Sequence, residues 1–354
     1  MEENKAINLA FSGCDEVIVP KPIEIKQSNR DYVSFGEDNN FPVELYDSYI
    51  DCSILQAIIN GATDYTSGSG FEIGEDNYVN PKQKLSDLVK QCTLDYYIYG
   101  AFAIQVLRND YKEIKKIYSL DPAKIRLSED EETVYYNDQF FKGYNTGKRT
   151  KKYPAFGDHK NSIFYYKRPT LRTLYGLPLW IGSFKSIRNL IELDQYHLSL
   201  IENQFTPSAI ISFNEGKPAE EQQKKIEAKI NEKFSGSKNA GKLMVVFSDS
   251  KETSPDLFKL DDDNYGEKFQ NLYKTSRENV FISFRCTSQL FGLSPDITAF
   301  NSVEFEQSFK LFKKTVIEPI QREIERGFEA LGYNFTLKEF TINFDDLEKG
   351  GQNE

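Results

Sequence analysis

Hydrophobic positions recur along this chain with two periods, and the change of period outlines its elements. Residues 1–45 follow neither; Pro20, Pro22, Pro42 and the polar run Glu37–Asn40 read as irregular. From Asp51 to about Thr66, Ile54, Ala57, Ile58 and Ala62 fall three or four residues apart. That spacing predicts a helix capped by Asp51 and stopped by Ser67-Gly-Ser-Gly70. Pro81 to Tyr99 predicts a second helix, with Leu85, Leu88, Val89, Cys92 and Tyr96 on one side. After Gly100 the period drops to two and predicts strands at Ala101–Leu107, Ile114–Leu120, Lys124–Leu127, Thr133–Tyr136 and Ser162–Tyr166. Lys142–Asp158, with Gly143, Gly147, Pro154 and Gly157, reads as a basic loop.

Long helical stripes dominate the second half. Leu179 to about Glu202 places Trp180, Phe184, Ile187, Ile191, Leu198 and Ile201 on one stripe, broken by Asp194. At 1.5 Å per residue this helix spans roughly 36 Å. Ala209–Phe213 and Leu243–Phe247 predict strands flanking a charged helix, Ala219–Phe234. Tyr265–Phe284 is helical again, with Phe269, Leu272, Tyr273 and Val280 on period. A loop, Phe291–Asn301, leads into a third long helix, Val303–Leu331, in which Pro319 predicts a kink. Asn334–Phe344 predicts one or two short strands, and no internal repeat is present.

Length and composition narrow the class. At roughly 100–200 residues per domain, 354 residues make two or three domains with 39% hydrophobic side chains to fill them. No apolar run reaches the roughly 18 residues of a membrane span, and Met1–Lys5 lacks the basic, then apolar, start of a secretory signal. Cys14, Cys52, Cys92 and Cys286 lie far apart, which argues for a reducing compartment and against a zinc site. The net charge of −10 is unevenly spread. Residues 1–100 hold 7 basic and 17 acidic side chains, residues 101–188 hold 17 and 9, and residues 189–354 hold 20 and 28. The stretch 142–188 carries eleven Lys or Arg against Asp158 alone, and marks a place to look for a partner.

Candidate chemistry is sparse. Gly236-Ser-Lys-Asn-Ala-Gly241-Lys242 fits the spacing of a phosphate-binding loop, but Leu243 stands where a magnesium-binding Ser or Thr belongs. The order of elements is also reversed, since a strand follows the glycines instead of a helix whose N-terminus would face the phosphates. A basic turn is the better reading. No nucleophile elbow occurs, and the two histidines, His159 and His197, have no Ser or Cys in a recognisable arrangement. Asp261–Asp263 lacks the alternating ligands of a calcium loop and suits a helix start. Lys148-Arg-Thr-Lys-Lys152 reads equally as a partner patch and as a solvated loop tip, and Tyr96–Tyr99 as packing. Catalytic residues, metal ligands and cofactors are therefore expected to be none.

The order of motifs resembles the portal proteins of tailed bacteriophages and prophages. Tyr175-Gly-Leu-Pro178 before a long helix is similar to the lead-in of the family's first stem helix. Asn203-Gln-Phe-Thr-Pro-Ser-Ala-Ile-Ile-Ser-Phe213 is similar to its end. Asn239-Ala-Gly-Lys-Leu-Met-Val-Val-Phe247, Gln289-Leu-Phe-Gly-Leu293 and Asn301-Ser-Val-Glu-Phe-Glu-Gln-Ser308 follow in family order, and Leu120-Asp-Pro-Ala-Lys-Ile125 resembles a segment of the outer domain. Cys286-Thr287 departs from the Val-Pro pair common in the family.

The resemblance implies an α+β portal fold with an α/β wing, long stem helices, a small α/β clip, a long kinked C-terminal helix and a reduced or absent crown. Its parts would be an N-terminal arm (1–29), wing (30–174), first stem helix (175–205), clip (206–260), second stem helix (261–292), tunnel loop (293–301), and kinked wing helix with a short strand region (302–354). The tunnel loop would bring Ser294, Pro295, Asp296, Ile297, Thr298, Ala299, Phe300 and Asn301 to DNA. Glu267, Lys268, Lys274, Arg277 and Glu278 are candidates to line the channel, and Lys224, Lys225, Lys229 and Lys233 to dock terminase and connector proteins. The implied function is a homo-oligomeric ring, a dodecamer, at one capsid vertex of the virion, assembled in the host cytoplasm. Double-stranded DNA would pass through it without sequence preference. Its partners would be the terminase large subunit, the major capsid or scaffold protein, and connector or tail adaptors, with no membrane and no hydrolysis of its own. The alternatives are a nucleotide-binding protein using Gly236–Lys242 and a non-portal virion scaffold or adaptor.

Overall fold

The two periods of the first half meet at Gly100, whose φ of +71° is left-handed. An L side chain is strained there, and a Cβ would stand 2.2 Å from the backbone of Leu177. Helix α3 (Leu85–Tyr99) ends with the Gly100 N–H donating to the Tyr96 carbonyl, and strand β4 (Ala101–Arg108) follows at once. The computed structural model describes residues 21–27, 30–138, 140, 150–169, 173–203, 209–213, 243–247, 265–292 and 302–340. Within these the chain forms two compact units, one from residues 1–185 with 280–354, the other from 186–279.

In the first unit β4 is the central strand of an antiparallel sheet, between β5 (Ile114–Leu120) and β9 (Asn161–Lys167). Phe102, Ile104 and Val106 alternate toward one face, where they meet Leu88, Val89, Cys92 and Tyr96 of α3. A second antiparallel sheet runs β6 (Ile125–Leu127), β7 (Thr133–Tyr136), β8 (Lys151–Pro154). The sequence had placed β8 in a basic loop; its Lys151 pairs with Tyr136 and its Pro154 with Thr133. Pro fits because β8 is an edge strand, where a missing donor is tolerated.

Other boundaries shift for local reasons. The first 45 residues are not irregular throughout: β1 (Glu24–Lys26) pairs with β2 (Val33–Phe35), and helix α1 (Phe41–Asp51) starts with Pro42 in its first turn. An early helical Pro gives up an N–H that has no intrahelical partner anyway. The chain breaks at extended Cys52 before α2 (Ser53–Ser67), so Asp51 closes α1 and does not cap α2. Helix α3 begins at Leu85, four residues later than expected. Asn80 Oδ1 accepts the N–H groups of Lys82 and Gln83 at 2.9 and 3.0 Å, holding the residues after Pro81 in a turn.

Strand β3 (Phe71–Ile73), unforeseen, pairs with the C-terminal strand, Thr336–Leu337. The long C-terminal helix is divided. A helix over Ser302–Phe312 gives way to a π turn, Lys313–Ile317, and then a helix over Glu318–Glu329. The distortion expected at Pro319 is thus a widened turn just before it, with the Glu318 N–H donating to Lys313 O, five residues back. Pro319 cannot donate, and its ring would crowd the carbonyl four residues earlier. The last helix then closes the core with Ile324 and Phe328. Gln321 Nε2 donates to the buried Thr66 carbonyl at 3.0 Å, and Tyr166 Oη to Glu323 at 2.7 Å.

The helix expected from Leu179 begins instead at Phe184: Leu179–Ser183 is a 3-10 turn, and α4 (Phe184–Asn203) follows, with α5 at Tyr265–Phe284; the second unit takes α4 from Ser186 and α5 as far as Asn279. Strands β10 (Ala209–Phe213) and β11 (Leu243–Phe247) pair in parallel, Ala209 opposite Leu243. A parallel pair needs a crossover of a dozen or more residues, and residues 214–242 separate these strands. The C-terminal elements described above are α6 (Ser302–Phe312), α7 (Glu318–Glu329) and β12 (Thr336–Leu337).

Candidate interaction surfaces

Tyr175-Gly-Leu-Pro178 anchors the lead-in to α4 from several sides. The Tyr175 hydroxyl donates to Val33 O at 2.5 Å and accepts from the Leu127 N–H at 3.0 Å, joining β2 to β6. Its ring stacks on Phe35 at 4.6 Å, and burial raises its pKa. Gly176 is required by contact: a Cβ there would lie 2.3 Å from Gly100 O. Trp180, fully buried, donates its indole N–H to Tyr97 O at 2.9 Å. Glu24 Oε1 accepts the N–H groups of Leu174 and Tyr175. These contacts fix the lead-in itself within the first unit.

Arg126 lies within this framework and escaped the sequence reading. It is fully buried, donating to Asn39 through Nε and NH2 and to the carbonyls of Ala123 and Ile125 through NH1. Its guanidinium lies 4.8 Å from the Phe140 ring centroid. Alternation along β6 would have placed Arg126 on a solvent face; all three β6 residues are buried.

The second unit supplies the long exposed surfaces. Asn279 Nδ2 donates to Ser186 Oγ at 3.1 Å, and ten residues along each helix Tyr196 stacks on Phe269 at 5.3 Å and 2°. Helices α4 and α5 therefore run antiparallel. Ile187, Leu190, Ile191 and Leu193 of α4 and Ser276 of α5 are buried. Of the channel candidates, Glu267, Lys268, Lys274 and Glu278 are exposed and Arg277 is half-buried. At 3.6 residues per turn, Glu267, Lys274 and Glu278 fall within about 40° of one another, opposite Ser276, while Lys268 points about 100° away. The helices also expose Tyr196, Leu198, Leu272 and Tyr273, Leu198 at 55%.

The loop candidates Ser294–Asn301, the docking candidates Lys224, Lys225, Lys229 and Lys233, the charged helix 219–234, Asp261–Asp263 and Gly236–Lys242 all lie outside the described residues. His159 and His197 are exposed, His197 beside the rings of Tyr196 and Phe269. Among the described residues, no three His, Cys, Asp or Glu side chains gather where they could hold a metal ion. Tyr96–Tyr99 are all buried, as their packing role required.

The basic stretch 142–188 meets acids of its own unit. Lys152 pairs with Asp31 at 2.5 Å, Lys160 with Asp110 at 2.6 Å, and Lys167 with Glu131 at 3.7 Å. Asp158 pairs in turn with Lys112 at 2.8 Å. Lys152, Lys160 and Lys167 of this stretch are thus tied to acids of neighbouring segments.

The family model described as phage portal protein matches residues 76–353. An uncharacterized protein of Rickettsia bellii is 27% identical over 149 residues, which is 42% of this chain and 37% of that protein; the shared stretch is little more than a third of the relative. Among solved structures, a chain in the virion of a native gene transfer agent particle is 15% identical, with a TM-score of 0.57 and 87% of each chain covered. A chain from the neck of an empty gene transfer agent particle, computed with C6 symmetry, is 16% identical, with a TM-score of 0.55 and 87% of each covered.

Proposed function

The chain belongs to the phage portal protein family, and on that premise we propose that its copies form a ring at one capsid vertex, a conduit for DNA during packaging and ejection. The observation that carries this reading is the antiparallel α4–α5 pair. Its charged stripe of Glu267, Lys274 and Glu278 lies opposite buried Ser276, and Leu272 and Tyr273 stand exposed on either side of Ser276. A helix that leaves apolar residues exposed at the edges of its buried face gains by packing against a partner, and a closed ring meets that need with identical copies.

On this reading residues 30–174, together with the helix of 302–354, are the wing. Residues 175–205 and 261–292 are the stem, and 206–260 the clip. Residues 293–301 would reach DNA, and Lys224, Lys225, Lys229 and Lys233 would meet terminase and then connector proteins. Mixed signs on the lining suit passage, since each phosphate neutralised by a lysine adds affinity through counterion release. Such a subunit hydrolyses nothing itself; the ATPase belongs to the packaging motor. The ring would be a dodecamer, assembled in the host cytoplasm and retained in the virion.

The test is electron microscopy of the purified chain with the symmetry of top views counted, in parallel with a Leu198→Asp/Leu272→Asp variant. Closed rings for the wild type and folded single subunits for the variant are expected. Wild-type monomers under all assembly conditions, capsid partners included, would sink the proposal.

A further inference from the structure

Between α2, the start of α3 and β12 lies an open groove of about 610 Å3. Tyr65, Phe71, Val89, Leu337 and Phe340 give it apolar walls. Asp64 and Lys90, paired at 2.7 Å, stand on its rim. Its volume lies within the roughly 300–1,000 Å3 of sites that seat a ligand-sized group.

The chain itself arrives at this groove. β12 pairs with β3, then Lys338 N–H donates to Gly70 O at 2.8 Å and Ser69 N–H to Lys338 O at 3.3 Å. The approach is tight, since a Cβ on Gly68 would stand 1.9 Å from Lys338 O. Phe340, the last described residue, lines the groove with its ring edge-on to Tyr65 at 5.2 Å. The sequence continues Thr341-Ile-Asn-Phe344, apolar at every second position, with Leu347 beyond. That is the pattern of a strand with one buried side.

We propose that the groove is the seat of this chain's own residues 341–347, with Ile342 and Phe344 as anchors, so that the C-terminal segment straps α2 to α3. Three arguments favour this occupant. The tether has no length to span: at about 3.3 Å per extended residue, Ile342 and Phe344 come within roughly 7 and 13 Å of Phe340. A segment tethered so closely has an effective concentration in the millimolar range, above that of a free competitor. Ile342 and Phe344 match the apolar part of the walls, whose lining also includes Asp64, Ser67, Ser86, Asp87 and Lys90. The proposal stands apart from the family reading and holds whether or not rings form.

Cysteine cross-linking in the full chain tests it. Ser67→Cys with Ile342→Cys, and separately Lys90→Cys with Phe344→Cys, are treated with a short bis-maleimide, and the linked peptides are mapped by mass spectrometry. Links within one chain are expected in both pairs. Adding Phe344→Asp to the first pair is expected to cut its yield about threefold or more, because a charge replaces an apolar anchor. Links between chains would overturn the proposal in favour of a second copy as occupant. No link in either pair, or a yield indifferent to Phe344→Asp, would overturn it outright.

Discussion

Arg126 and Asp95 show how single residues acquire roles from surroundings that their neighbours in sequence do not disclose. Burial lowers the Arg126 pKa, and the charge is held by the Asn39 side chain and backbone carbonyls. Asp95, half-buried on α3, has its pKa raised well above the ordinary carboxylate value, first by desolvation and then by Asp121, while Ser119 Oγ at 3.5 Å opposes the shift. Cys92 on the same helix also faces it, and Tyr99 donates to Asp121 at 3.2 Å. A folded-state pKa above the unfolded one means stability that is present below the unfolded pKa and lost as pH rises through the folded one. Asp95→Asn does not titrate and is therefore expected to melt higher than wild type near about pH 7.5, the gap closing by about pH 4. Calorimetry at the two pH values checks this; equal midpoints at both would show that the carboxylate is ionised in the fold without cost.

Elements are held by contacts across long sequence separations. α7 supplies Ile324 and Phe328 to a core that also takes Leu88, Val89 and Cys92 from α3 and Phe102, Ile104 and Val106 from β4, more than two hundred residues earlier. Phe328 is fully buried, stacked on Phe102 at 5.9 Å and tilted against Phe335 at 5.5 Å. Truncating a buried aromatic costs about 3–5 kcal/mol in transfer and cavity terms. Phe328→Ala is expected to lower stability by that amount in urea unfolding and to release α7 to proteolysis together with β12. A loss under about 1 kcal/mol would mean that the site collapses to fill the space. The π turn at Lys313–Ile317 shows the limit of pattern reading at this scale. Pro319 signalled a break, but not that it would take the form of a wider turn with Phe312 and Val316 both buried.

The whole molecule recasts the charge distribution. An acidic first segment and a basic middle one suggested a partner for the basic block, yet Lys152–Asp31 and Lys160–Asp110 join segments within one unit. Exposed pairs of this kind contribute little each, about 0–1 kcal/mol; their effect is to cancel a field that would otherwise attract nucleic acid. Assembled subunits of net charge −10 are expected to show no complex with linear duplex tighter than the roughly micromolar non-specific range at physiological salt. Filter binding across a salt series reads this directly. A nanomolar, salt-resistant complex would contradict a conduit and favour a DNA-gripping role.

Periodicity alone placed the helix at Tyr265–Phe284 and the strands at Ile114–Leu120, Thr133–Tyr136, Ala209–Phe213 and Leu243–Phe247 where they stand, and it found the long helix before Asn203 but began it at Leu179, five residues ahead of Phe184. Those stretches are long or strongly periodic, so local pattern and tertiary packing agree. Two short strands escaped it. β3 is three residues long, and β8 carries two lysines and a proline in place of alternating apolar residues; each pairs with a strand supplied from elsewhere in the chain. The family's motifs were legible as residue types in order, but their reasons were not. Gly176 is needed because Gly100 O passes beside it, and Trp180 because Tyr97 offers a carbonyl. Contacts between residues some eighty apart in sequence leave no local period, and only the folded chain brings them together.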